Sequence, residues 1–172
     1  MPSRKTLNIY AFLLTVTLGS ILFATFSINR PVSGFREPQV ASTTRLYVEE
    51  GINLLYPKLN IMGDPGYFVV DFPIYQAIVA SVWNLFGLYE TWGRIISLFF
   101  WILGGFYLFF LCKLFSDDRI ARVTFFLFLF APNATIYSNV IEIEAMSVCL
   151  SIIFLYYGSK WIIFLRINTK ND

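Results

Sequence analysis

Histidine is absent from the chain. With it go the commonest zinc ligand and the commonest general base near neutral pH. Any proton transfer must therefore rest on carboxylates, lysine or tyrosine. Charge is scarce too: Asp, Glu, Lys and Arg make up 14% of the 172 residues, where a soluble domain carries about 25%. With 57% apolar residues and 19 phenylalanines, much of the surface must face lipid. The net charge of +2 is too small to draw nucleic acid, and no basic stripe alternates with stacking aromatics. Nucleic acid is thus excluded as a partner. The two cysteines, Cys112 and Cys149, lie far apart inside apolar runs, which excludes a metal or redox motif. Both read as small residues packed against lipid or helix.

Long apolar runs are what the chain has instead. Leu7 to Ile28 holds 22 residues without a charge, and about 20 suffice to cross a bilayer core. Ser3-Arg4-Lys5 precedes it, but the run is long for a signal peptide and Thr25-Phe26-Ser27 matches a cleavage site poorly. An uncleaved anchor is expected. A second span is expected over 94–113, a third over 120–137 with a break near Pro132-Asn133, and a fourth over 145–164. The fold class is all-α, one multi-pass membrane domain of about four spans. If both termini are cytoplasmic, that side holds eight basic and three acidic residues and the other five basic and eight acidic. The bias towards basic residues inside supports this orientation in a cell membrane.

The loop over 29–93 then lies outside. Val40, Thr44, Tyr47 and Val48 recur at helical spacing between Glu37 and Glu50, with Gly51 as a stop. Ile74, Ile78, Val79, Val82 and Trp83 do the same between Pro73 and Gly87. Both pieces are too short to span and suit helices lying in the membrane interface. Tyr56-Pro57 and Gly63-Asp64-Pro65-Gly66 read as turns.

The order of an anchor, an outer loop with an early acid, Gly66-Tyr67…Asp71-Phe72-Pro73-Ile74-Tyr75, Leu85-Phe86-Gly87…Gly93-Arg94-Ile95-Ile96-Ser97-Leu98, and then Ala131-Pro132…Ile136-Tyr137 with Glu144, resembles the N-terminal part of GT-C membrane glycosyltransferases. It is most similar to the protein O-mannosyltransferase and aminoarabinose transferase group, and to the related Rgt-type sugar transferase domain. The resemblance implies a polyprenyl-phosphate-linked sugar donor and transfer to a lipid, glycan or protein acceptor on the outer membrane face. It implies a catalytic acid early in the first outer loop, the place of Glu37, and a second acid shaping the site, the place of Asp71. In some members a divalent metal lies there. Where relatives have His or Asp beside the first carboxylate, this chain has Arg36. Members also continue through further spans, so a partial chain is expected, inactive alone and working with a companion membrane subunit.

From the residues themselves, Glu37 reads either as a general base for an acceptor hydroxyl or as a glutamate favoured by the macrodipole of a helix's first turn. Asp71 reads as a cap for the helix opening near Pro73 or as part of a site. Arg36, Arg45 and Arg94 can clamp phosphate oxygens in bidentate fashion, and Arg94 also suits an interfacial anchor. Glu142 and Glu144, two apart, would sit about 200° apart on a helix and face different ways. Asn133-Ala134-Thr135 fits a glycosylation sequon. The alternative function, from another class, is a non-catalytic membrane protein that binds a lipid-linked glycan or a partner subunit.

Overall fold

The computed structural model describes residues 4–25, 34–61, 64–67, 71–131 and 137–168. The fold is all-α with one small ribbon: α1 (Arg4–Thr25), α2 (Arg36–Glu50), β1 (Lys58–Ile61), β2 (Asp64–Tyr67), α3 (Ile74–Phe86), α4 (Glu90–Phe115), α5 (Asp118–Phe130) and α6 (Glu144–Asn168). Three helices are long and apolar enough to cross a membrane: Lys5–Thr25, Glu90–Phe115 and Glu144–Arg166. The last residues of the first expected span, 26–28, lie outside the described residues, as does the sequon.

The expected third span is described continuously only as far as Ala131. Helix α5 has 13 residues, roughly 20 Å at 1.5 Å per residue, too short to cross a core of about 30 Å alone. It starts firmly, because the Asp117 carboxylate accepts hydrogen bonds from the amides of Arg119 and Ile120, the usual way to satisfy orphan donors. It ends at Phe130, while the expected break at Pro132-Asn133 lies outside the described residues. The chain after it, from Ser138 to Ile143, is irregular until α6 begins.

Helix α5 still belongs to the bundle. It folds back along α4, where Trp101 stacks on Phe128 at 4.5 Å and its indole donates to the Phe128 carbonyl. Helix α6 runs parallel to α4 on the other side, and glycines set how closely the two approach. A Cβ on Gly104 would meet the Cys149 backbone at 3.3 Å, and one on Gly93 would meet Ile141 at 3.0 Å. At the far end, Asp118 gathers Lys113 at 2.9 Å and Lys5 at 3.5 Å. The start of α1, the end of α4 and the start of α5 therefore share one end of the bundle. Helices α2 and α3 and the ribbon lie at the other, the loop end.

Two details of the loop correct the sequence reading. Asp64, Pro65 and Gly66 are not a turn but part of β2, antiparallel to β1 with Lys58 opposite Tyr67 and Ile61 opposite Asp64; a two-stranded ribbon has only edges, where proline is tolerated. Helix α3 buries Tyr75, Gln76, Val79, Ala80 and Trp83 and leaves Ile74 exposed. Its inner face is thus rotated by about one residue, because Tyr75 has a hydrogen-bonding task inside. Helix α2 buries the expected Val40, Thr44 and Tyr47 against α3 and β1.

Gly104→Val should lower the melting temperature in detergent, by overpacking worth about 1–3 kcal/mol. Gly158, with nothing within 4 Å of its added Cβ, should accept alanine without loss, since alanine is the better helix former. Equal melting temperatures for Gly104→Val and wild type would show that α4 and α6 do not meet here.

Candidate functional site: an acidic cluster at the loop end

Glu37 sits in the first turn of α2 with its side chain fully buried. Its Oε1 lies 3.4 Å from Nε of the equally buried Arg94 and accepts the amide of Ile141 at 3.1 Å. One carboxylate thus joins α2, α4 and the irregular segment before α6. Arg94 reaches further, to Glu90 at 3.7 Å, one turn earlier on α4. A buried ion pair repays its desolvation only when extra hydrogen bonds satisfy its remaining atoms, and the Ile141 amide supplies one. Glu37, with no exposed surface, stands as an internal tie here and not as a group open to an acceptor.

A parallel set of bonds runs beside it. The Tyr75 hydroxyl donates to the Gly93 carbonyl at 2.9 Å and stands 2.7 Å from Ser97 Oγ, which donates to the Val140 carbonyl at 2.6 Å. Burial pushes the Tyr75 hydroxyl well above the ordinary tyrosine range, so it remains a donor. Irregular backbone buried in a protein needs such partners. Ser97 and Glu37 serve a carbonyl and an amide of the 138–143 segment.

Arg36, the neighbour of Glu37, points elsewhere. Its Nη2 donates to Asp71 Oδ2 at 2.7 Å, and its Nε lies 2.8 Å from Glu144 Oε1. The second contact is an ion pair without an aligned hydrogen bond, since that Nε–H has no acceptor in line. Asp71 is therefore no helix cap: α3 opens on Pro73 with no side-chain bond to its first turn. The guanidinium holds it instead.

Glu142 joins the cluster. Burial first, and then the Glu144 carboxylate beside it, push its carboxyl up to about 7. The expectation that Glu142 and Glu144 face apart fails because the helix starts at Glu144. Glu142 lies on irregular chain, where helical angles do not apply.

Of the five residues expected in the site, Arg36 and Asp71 meet directly. Glu37 and Arg94 form the buried tie beneath them, and Arg45 is exposed on α2, lining a separate groove with Glu49, Trp83 and Glu90. The sequence reading missed Glu142 and Glu144 as partners. The signal was there: two acids just ahead of an apolar run, in a chain with few charges.

The arrangement does not suit a divalent cation. The Arg36 guanidinium already fills the space between Asp71 and Glu144, and among the described residues no group of three possible ligands stands close enough to hold a metal. What the cluster can do is exchange a proton near neutral pH, at Glu142. No protein-family model, curated protein or solved structure matches the chain.

Removing Glu37 by Glu37→Ala should leave Arg94 buried without its partner, a change that typically costs about 3–5 kcal/mol; the melting temperature should fall sharply. Replacing both ends of the tie, Glu37→Leu with Arg94→Met, should recover much of the loss. If the double variant were as unstable as the single one, the ion pair would not be the cause. A second measurement concerns pH. The Glu142 carboxyl is raised from 4.5 to about 7 in the fold, so between those values the folded state binds more protons than the unfolded state. Its contribution to stability must then fall as pH rises from 4.5 to about 7, and Glu142→Gln should flatten that part of the melting curve against pH.

Proposed function

We propose that the chain is a membrane glycosyltransferase of GT-C type, or part of one, moving a sugar from a polyprenyl-phosphate donor to a hydroxyl of a lipid, glycan or protein. The supporting observation is the cluster itself. Arg36 pairs with Asp71 and Glu144, and Glu142 stands beside Glu144, at one end of helices long enough to span a membrane; the Glu142 carboxyl is raised to about 7. A general base works best with a pKa near the working pH.

In this reading Glu142, not the buried Glu37, takes the proton of the acceptor hydroxyl. The hydroxyl oxygen bonds to the anomeric carbon, the bond from that carbon to the polyprenyl phosphate breaks, and the phosphate leaves with the electron pair. Asp71 and Glu144 hold Arg36 and so fix the frame around Glu142. Arg36 and Arg94 are occupied by carboxylates, and Arg45 lines a separate groove on the opposite face of α2, so the donor phosphate is left to groups other than these three. The cluster lies on the outer side of the cell membrane and both termini in the cytoplasm, in keeping with the basic bias of the opposite end.

The second reading, a non-catalytic membrane protein, draws on the same ion pairs, since Glu37–Arg94 and Arg36–Asp71 already have structural work. Membranes holding the protein, with any companion subunit, would be offered a polyprenyl-phosphate sugar and cell-envelope acceptors. Glu142→Gln should slow transfer by about 10²–10⁴-fold with donor affinity unchanged. Transfer at the wild-type rate by Glu142→Gln would end the mechanism, and no transfer by wild type with its companions would favour the binding protein.

Orientation has its own test. In a variant lacking Cys112 and Cys149, single cysteines at Asn84 and Ser116, both exposed, would meet an impermeant thiol reagent on intact cells. Labelling at Asn84 alone is expected, and labelling at Ser116 alone would invert the topology.

A further inference from the structure

The far end of α2 carries a second polar hollow, built around tyrosines. The Tyr47 hydroxyl donates to the Asn53 carbonyl at 2.7 Å, and Asn53 Oδ1 accepts the amides of Leu55 and Tyr56. That turn fixes Tyr56, and the ribbon fixes Tyr67 opposite Lys58. The two rings meet edge to face, 6.1 Å apart with their planes at 71°, so they form two walls of a corner. Both are largely open, Tyr56 63% and Tyr67 72% exposed, and neither belongs to the hydrophobic core. Lys58 Nζ lies 5.8 Å from the centre of the Tyr67 ring and 2.6 Å from Glu50 Oε2. Among these groups lies a cavity of about 210 Å³.

The lining selects a neutral ligand that carries hydroxyls. An entering cation would meet Lys58, and an anion would meet Glu50. After their mutual bond the ammonium keeps further N–H bonds, the carboxylate keeps further lone pairs, and the Asn53 amide NH2 can still donate. Donors and acceptors thus stand side by side, which suits groups that do both, as hydroxyls do. The rings favour something else, a flat face of C–H bonds whose weakly positive hydrogens meet the negative π face. A pyranose ring has both, a C–H face and a rim of hydroxyls. Size agrees: drug-sized ligands take pockets of about 300–1,000 Å³, and 210 Å³ suits a single ring. We infer that the hollow between Glu50, Lys58, Tyr56 and Tyr67 binds one neutral sugar unit of a glycan. Arg36 begins α2 and Glu50 ends it, 15 residues or roughly 21 Å along the axis. A ring held here is therefore not one that reacts beside Glu142, and the inference stands whether or not sugar transfer occurs.

The probe is methyl β-D-glucopyranoside, whose axial ring positions carry only hydrogen. Sorbitol, a polyol without a ring face, and choline, a cation that suits aromatic walls, are the controls. Each is added to the full chain in a detergent without a sugar headgroup, and binding is followed by saturation-transfer NMR. Saturation should pass to the ring C–H protons of the glucoside in a titratable way, and not to sorbitol or choline. Tyr56→Leu and Tyr67→Leu keep apolar bulk and remove a ring. Each should raise the glucoside dissociation constant about tenfold, the upper worth of an aromatic contact. Lys58→Met keeps the stem and breaks only a surface ion pair, which costs the fold little; it should weaken binding about as much. Melting temperatures check each fold, and Lys58→Met carries the test where a tyrosine variant melts early. No saturation of the glucoside, or equal saturation of sorbitol or choline, overturns the inference. So does binding that survives Lys58→Met unchanged, or that is lost in phosphatidylcholine nanodiscs, where lipid would then be what covers the rings.

Discussion

The loop end is organised by one buried contact, the Glu37 carboxylate between the Arg94 guanidinium and the Ile141 amide. Without Glu37, Arg94 would be a buried cation that had lost its closest described carboxylate, with Glu90 further off at 3.7 Å. Without it, too, the Ile141 amide would be an orphan donor in a segment where no helix or strand supplies partners. Breaking such a tie by one partner is far more costly than never having built it. That asymmetry explains why three residues 37, 94 and 141, remote in sequence, act as one structural unit. The glycine at 93 completes it, since Ile141 lies where any side chain there would stand.

The acidic cluster follows from this tie by helix geometry. Adjacent residues on a helix point about 100° apart, so burying Glu37 towards α4 turns Arg36 along the flank of α2. There Asp71 and Glu144 flank it. The irregular chain from Ser138 to Ile143 brings Glu142 to the same place, and it can stay irregular because Ser97 and Glu37 satisfy its backbone. A regular helix through 142–144 would have turned the two glutamates apart. Burial is the larger cause of the raised Glu142 carboxyl, and the irregular chain adds the second by setting Glu144 beside it.

How much of this was legible depends on range. Spans and stops were local features: the apolar runs gave α1, α4 and α6, and Gly51 and Gly87, both at positive φ, closed α2 and α3 where expected. The third span was legible as far as Phe130, where α5 ends; the rest of it, from 132 to 136, lies outside the described residues. Asp64-Pro65-Gly66 was misread because turn composition says nothing about a pairing strand, and Lys58 to Ile61 supplied one. Asp71 shows the same limit in a single residue: its position before Pro73 suited a cap, yet a guanidinium 35 positions away held it. Long-range pairs of this kind leave no periodic mark. Only the rarity of charge in the chain hinted that each acid had a partner.

That rarity also weighs between the two functional readings. In a chain facing lipid, every ionised group near the bilayer must be paired or wetted, and pairing explains Glu37, Arg94, Arg36 and Asp71 without any reaction. It does not explain Glu142. That carboxyl is raised first by burial and then by the carboxylate of Glu144 beside it, an arrangement that pairing with a cation would not produce. Nor does pairing explain a buried Gln76 acceptor left unsatisfied beside Asp71.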